Sequence, residues 1–348
     1  MSRRKKQPIN REFREQARRG LATDVHEFAR IGPAAARFLT ANRPGEDFYG
    51  FNDFNGFNGF NDLNDFYCRL TPVKNRKIMI ILILVAILGA ALWLYARRFE
   101  RSHLYFPERA YETTPSDLGL SFREISFPTS DGETITGWWL PAQSARGALL
   151  YCHGNGGNVS TNLVNARVFH DLGLSVLLFD YRGYGKSSGR PSEEGTYRDA
   201  RAAFSQLTGA LGIPPEQIVI YGMSLGGAVA IELAADVPAA GLICEATFTS
   251  VLDMARRLYP GLPAKILASD KYDSLSKIGR LGLPKLFLHA PEDELVPFAM
   301  GRKLFDAATA PKEFLEIRGT HGEGASLTGP AYAAGIDAFL RKILPAKR

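Results

Sequence analysis

Residues 222–226 read Gly-Met-Ser-Leu-Gly, a G-x-S-x-G pentapeptide. The apolar run Ile218–Tyr221 precedes it and the helix-favouring run LGGAVAIELAA follows. A strand that turns into a helix within about one residue lifts the serine hydroxyl above the sheet and leaves no room for neighbouring side chains. Gly222, Gly226 and Gly227 supply that room. The N-terminus of the following helix favours negative charge developing beside it. Ser224 is therefore a candidate nucleophile for acyl transfer.

A serine hydroxyl is a weak nucleophile at its own pKa. It needs a base, and the base needs an orienting carboxylate. Among the six histidines, His26 lies in a basic stretch, His103 follows a long apolar run, and His170 falls in a helical pattern. His153 and His289 close apolar strands. His321 stands in Gly319-Thr320-His321-Gly322, a glycine-flanked loop after the last strand, where a base can reach across the end of the sheet. For the acid, Asp293 follows the strand Lys285–His289 in HAPEDELVP, one strand before His321. Glu292 and Glu294 flank it, and Asp270 and Asp273 come earlier. Serine, acid and histidine then occur in a chain order known for such triads on strand–helix folds.

An oxyanion needs two preformed N–H donors. The backbone of Leu225 offers one, and the loop His153-Gly154-Asn155-Gly156-Gly157-Asn158 offers the other, through the Asn155 amide with Gly156 as the alternative. This chemistry requires no metal or organic cofactor. An ordinary histidine titrates near ~6.5, so a base at His321 predicts activity rising with pH through about 6–7.

Other chemistries fail on spacing. Gly183-Tyr184-Gly185-Lys186-Ser187 contains a GKS, but a P-loop needs glycine where Asp180 stands. The glycines at 154–157 lack the further glycine of a dinucleotide loop, because Val159 is there. Cys68, Cys152 and Cys244 form no metal-binding or redox spacing; the last two read as small core residues. The net charge of +6 lies wholly in residues 1–77, with 15 Lys/Arg against 9 Asp/Glu; the remainder carries 27 of each and has no overall pull on nucleic acid.

The elements that must position these residues lie in 102–348. A hairpin is predicted over Arg123–Phe127 and Thr134–Pro141, turning at Ser130-Asp131-Gly132. Strands follow at Ala148–Cys152, Ser175–Phe179, Gln217–Tyr221, Gly241–Cys244, Lys285–His289 and Glu313–Ile317. Helices are predicted near 160–172, 195–211, 225–236, 297–308 and 326–344. Continuous apolar strands alternating with helices imply an α/β fold, here a mostly parallel eight-stranded sheet covered on both faces. Such sheets carry function at the C-terminal ends of their strands. The segment 246–282, with Phe248, Leu252, Met254 and Leu258, is where a specificity-setting insertion is expected.

Residues 78–96 carry no charge. As a helix they span about 28 Å, close to a bilayer's hydrocarbon core. Trp93 and Tyr95 sit at one end, as interfacial anchors do. A single-pass, uncleaved anchor is expected. Basic residues flank both ends, and those further upstream favour a cytoplasmic N-terminus. Residues 1–77 are basic and poorly patterned, and 50–66 repeat Phe-Asn-(Asp/Gly). Their composition reads as disordered. A nine-base tandem repeat translated from an early start codon gives the same pattern, with Val73 or Met79 as alternative starts. A chain beginning at Val73 is expected to keep its activity.

The runs LYFPER, YCHGNGGN, FDYRGYGKSSGRPSEEG, YGMSLGGAVA, EATFTSVLDMA and HAPEDELVP resemble the small membrane-anchored α/β hydrolases, a group that includes ABHD-type serine hydrolases and bacterial homologues. The resemblance covers 102–348 and the apolar helix, not 1–72. It implies the triad Ser224, Asp293 and His321, an oxyanion loop at 153–156, and a structural turn built from Asp180, Arg182, Tyr184 and Gly185. The group includes enzymes that remove acyl chains from proteins or lipids, which implies an ester or thioester substrate with lipid-like character. Ala290 replaces the usual glycine, and Gly322-Glu323 replaces a frequent Asn-Asp. The competing readings are a peptidase or amidase of the same fold, and a catalytically silent membrane scaffold. The intact Ser/Asp/His set argues against the scaffold.

Overall fold

The computed structural model describes residues 73–261 and 268–344. The expectations for residues 1–72 therefore lie outside the described residues. By contacts the chain divides into two units, residues 1–90 and 91–348.

Helix α1 runs Val73–Leu104 and contains the predicted apolar stretch. Residues 76–104, 29 in all, are long and apolar enough to cross a membrane, and their most apolar window is not buried within the protein. The helix has no acidic residue in its first turn and carries Arg101 and His103 in its last, which suits the negative end of its dipole.

The unit from residue 91 onward is built on an eight-stranded sheet. Its strands are β2 Arg123–Pro128, β3 Thr134–Leu140, β4 Gly147–Cys152, β6 Leu174–Phe179, β7 Ile218–Met223, β8 Gly241–Glu245, β9 Lys285–His289 and β10 Lys312–Glu316. Their order is β10-β9-β8-β7-β4-β6-β3-β2, and only the pairings β2·β3 and β3·β6 are antiparallel. A separate two-stranded ladder pairs β1 Phe106–Pro107 with β5 Gly156–Gly157. The predicted α/β class and all eight predicted strands are present.

The reason the strands read as unbroken apolar runs is now visible. In β7, Ile218 and Ile220 face one core cluster, while Val219 and Tyr221 face the other. In β4, Ala148, Leu150 and Cys152 oppose Leu149 and Tyr151 in the same way. Both faces of a central parallel strand are buried, so alternation of side chains leaves no polar stripe. Cys152 and Cys244 are both buried; burial pushes the Cys152 thiol up to about 12, as expected of an inert core residue.

The covering helices are α2 Leu163–Asp171, α3 Glu193–Thr208, α4 Leu225–Asp236, α5 Val251–Leu258, α6 Ser274–Ile278, α7 Phe298–Ala307, α8 Gly324–Thr328 and α9 Pro330–Ile343. The predicted 326–344 helix is two helices. Gly329 takes φ +62° between them, and Pro330 opens the second, where its missing N–H costs nothing. Helices α5 and α6 lie within 246–282; Phe248 is buried in the core, whereas Leu258 is exposed.

Candidate active site

Ser224 sits between β7 and α4 with φ +54° and ψ −119°. A side chain at positive φ stores strain of order ~1–3 kcal/mol, so the surroundings must hold it there. They do so through the backbone. Ser224 N–H donates to the Glu245 carbonyl at 2.9 Å, and the Ser224 carbonyl accepts from Gly227 N–H at 3.0 Å and from Thr247 Oγ1 at 2.6 Å. The glycines are needed sterically. A Cβ at Gly222 would lie 2.1 Å from the Gly226 carbonyl oxygen, and one at Gly226 would lie 2.0 Å from the Cys152 carbonyl oxygen. The elbow helix α4 thus packs directly on the backbone of β4.

Asp293 and His321 are paired: His321 Nδ1 lies 2.8 Å from Asp293 Oδ2. The other carboxylate oxygen accepts the backbone N–H groups of Leu295 at 3.0 Å and Val296 at 2.8 Å. Burial opposes charge on Asp293, but the neighbouring His289 and His321 rings and the Val296 backbone N–H outweigh it and hold the carboxyl well below the usual range. Asp293 is thus an ionised acceptor, and Nδ1 of His321 carries the shared proton, leaving Nε2 as the basic atom.

The loop bearing His321 lies against the elbow. A Cβ at Gly322 would sit 3.6 Å from Met223 Cε, and one at Gly324 would sit 2.9 Å from Glu245 Oε1. Glu245 is the residue whose carbonyl receives Ser224 N–H. Its buried carboxylate accepts from Tyr221 at 2.7 Å and Tyr332 at 2.6 Å, and burial raises its pKa.

The other candidates fall elsewhere. Glu292 is exposed, and Glu294 accepts from the His321 backbone N–H at 3.1 Å. Asp270 accepts from the Tyr105 hydroxyl at 2.6 Å, and Asp273 caps α6. His103 stacks on Phe99 with ring centroids 4.0 Å apart, and His170 lies 3.2 Å from the Pro141 carbonyl. His26 lies outside the described residues. Among the described residues there is no cluster of metal-ligating side chains.

The loop after β4 passes Ser224. A Cβ at Gly154 would be 3.8 Å from Ser224 Cβ. Next, Asn155 is pinned on three sides: its carbonyl accepts from Phe106 N–H at 2.9 Å and Tyr184 OH at 2.8 Å, and its Nδ2 donates to the Leu104 carbonyl at 3.0 Å. Gly156 lies opposite Phe106 in the short ladder, and Leu225 is the first residue of α4. His153 braces the loop from below, with Nδ1 2.7 Å from the Gly154 carbonyl, and burial depresses its pKa to about 4. Asp180 accepts from Val159 N–H and Tyr111 OH, both at 2.9 Å, and burial raises it to about 7. Arg182 bridges Asp131 and Asp199, and Gly185 takes φ +45° against the Asp180 carboxyl. These four residues do form a turn beside the loop, through Tyr184.

A family model described as the alpha/beta hydrolase family matches residues 149–343, which include Ser224, Asp293, His321, Leu225, Asn155 and Gly156. The chain belongs to the alpha/beta hydrolase family. An uncharacterised Mycobacterium tuberculosis protein is 35% identical over 271 residues, covering 77% of this chain and 96% of that one. Another relative is the alpha/beta hydrolase domain-containing protein WAV2 of Arabidopsis thaliana, 32% identical over 277 residues, 72% of this chain and 90% of that one. A Pyrococcus furiosus esterase shares the hydrolase fold at a TM-score of 0.59 and 19% identity, covering 70% of this chain and 99% of that one.

Sequence reasoning missed His289. It reads as a strand terminus, yet its Nε2 lies 3.4 Å from Asp293 Oδ2. The available signal was its four-residue spacing from Asp293, which is uninformative until the intervening loop is known to fold back.

Proposed function

We propose that the chain is a membrane-tethered serine hydrolase of carboxylic esters or thioesters. Ser224 Oγ attacks the acyl carbonyl while its proton passes to His321 Nε2. The oxyanion is met by the backbone N–H of Leu225 and that of Asn155, with Gly156 as the alternative donor. The carbonyl then re-forms, the leaving group departs with the proton from His321, and water hydrolyses the acyl-enzyme by the same route. Asp293 fixes the His321 tautomer and offsets the imidazolium charge. No cofactor enters this scheme.

The observation that carries the reading is the 2.8 Å Asp293–His321 pair, on a loop that abuts the strained Ser224 elbow. Asn155 is favoured over Gly156 because its carbonyl and side chain are both fixed, which orients its amide. The tether rests on the 29-residue apolar span of α1. The apolar helix also makes a lipid-like acyl substrate a natural one.

A fluorophosphonate probe tests the nucleophile: the wild-type chain should label, and Ser224→Ala should not. Turnover of p-nitrophenyl esters of increasing acyl length then reports the acyl preference. Labelling that persists in Ser224→Ala overturns the assignment.

A further inference from the structure

His289 ends β9, is buried, and lies beside the carboxylate that His321 uses. Its Nε2 is 3.0 Å from the Val296 carbonyl oxygen. A carbonyl can only accept, so Nε2 must carry a proton. The same Nε2 lies 3.4 Å from Asp293 Oδ2, beside but not hydrogen-bonded to the oxygen that accepts from His321 Nδ1 at 2.8 Å. The ring is held from behind by α7: a Cβ at Gly301 would fall 2.1 Å from His289 Nδ1, so only glycine admits the ring there. One carboxylate oxygen therefore has two imidazole edges beside it, one hydrogen-bonded and one 3.4 Å away, and the tautomer of the second is set by the backbone.

We propose that His289 is a positioning residue for the Asp293–His321 pair, fixing Oδ2 in place and tempering the pull of that oxygen on the His321 ring. The proposal rests on the catalytic reading of Ser224 and His321. Its physical content is a competition. An N–H dipole beside a carboxylate oxygen stabilises its negative charge and so weakens what that oxygen offers to a hydrogen-bond donor. With His289 present, the imidazolium of His321 gains less from Asp293, so the base releases its proton more readily. Without it, the carboxylate binds the imidazolium more tightly, and the base stays protonated to higher pH.

The titratable groups facing His289 are Asp293, with His321 beyond it, and Glu245 at the end of β8, which interacts electrostatically with both histidines. From β10 its register partner is the exposed Glu316, and α7 presents Gly301 and the edge of the Phe298 ring, 5.7 Å between centroids.

Two amide substitutions separate positioning from packing. Glutamine places its side-chain N–H near the position of Nε2, whereas asparagine is too short to reach Asp293. In His289→Asn the midpoint of the acid limb of kcat/KM should move up by about half to one pH unit. kcat should fall while KM stays close to the wild-type value. In His289→Gln the midpoint should return towards that of the wild-type chain. An unshifted midpoint in His289→Asn, or a loss confined to KM, overturns the proposal. Nitrogen-15 NMR of the histidine-labelled wild-type chain gives a second reading that needs neither variant nor turnover: His289 Nε2 should be protonated across pH 6–8, and an unprotonated Nε2 overturns it. Fluorophosphonate labelling of Ser224, run alongside, distinguishes failure of this proposal from failure of the catalytic reading.

Discussion

The strained serine makes a prediction whose sign is unusual. Replacing alanine by glycine inside a folded protein normally destabilises it, because glycine loses more freedom on folding and leaves a small void. At position 224 the backbone has φ +54°, where a Cβ is strained. The strain is of order ~1–3 kcal/mol. Against this stand about 0.4–1 kcal/mol of extra unfolded-state entropy for glycine and up to about 0.8 kcal/mol for one lost buried methyl. Ser224→Gly should therefore be more stable than Ser224→Ala by about 1 kcal/mol. For a domain of this size that is a rise in Tm of roughly 2–4 °C. Both variants lose the same hydroxyl, so the comparison isolates the Cβ. The assay is urea and thermal unfolding in detergent, followed by circular dichroism. A glycine variant less stable than the alanine variant refutes the argument that Ser224 is held in strain by its neighbours.

Three further outcomes follow from the same geometry. Asp293→Asn and His321→Ala should each lower kcat/KM on a p-nitrophenyl ester by about 10³–10⁵-fold, by analogy with a serine-protease triad, with folding intact by circular dichroism; wild-type turnover in Asp293→Asn would shift the assignment to Glu294 or Glu292. Gly226→Ala drives a Cβ to within 2.0 Å of the Cys152 carbonyl, backbone against backbone, so destabilisation should exceed the ~1–3 kcal/mol of ordinary overpacking, read as loss of soluble expression or a fall in unfolding midpoint. Asp180, raised to about 7 by burial, keeps its proton in the folded chain while the unfolded chain releases it near ~4, so it contributes stability that is lost as pH rises across that window. Asp180→Asn cannot titrate, so its stability relative to wild type should climb between about pH 4 and 7 and then level off; a pH-independent difference in urea midpoint would show that Asp180 is ionised throughout.

The elbow, the eight strands and the Asp293–His321 pairing were legible from residues alone, each for a local reason. A strand-to-helix turn at Ser224 demands glycine at 222 and 226 whatever lies beyond, and the structure shows carbonyl oxygens where those Cβ atoms would be. Strands buried on both faces must be apolar at every position, so β4, β7 and β8 stood out without any knowledge of their neighbours. His321 was legible because glycines flank it and a strand and a helix bracket it. The break at Gly329-Pro330 was written in the chain too, but the apolar period carried across it and hid it.

Other features depended on groups far apart in sequence. Nothing in HAPEDELVP says that the loop folds back so that Leu295 and Val296 donate to Asp293 with the His289 ring beside it, or that Glu294 turns to the backbone of His321 instead of its ring. The burial of Glu245 between Tyr221 and Tyr332 joins three segments of the chain. The clamp on Asn155 joins Leu104, Phe106 and Tyr184, so the end of the apolar helix holds the loop beside Ser224. Residue type and spacing determine what a segment can do by itself, because backbone sterics and burial act over a few residues. Which of several equivalent donors and carboxylates meet is decided only when the sheet brings its strand ends together, since hydrogen bonds select on tenths of an ångström that no local pattern encodes.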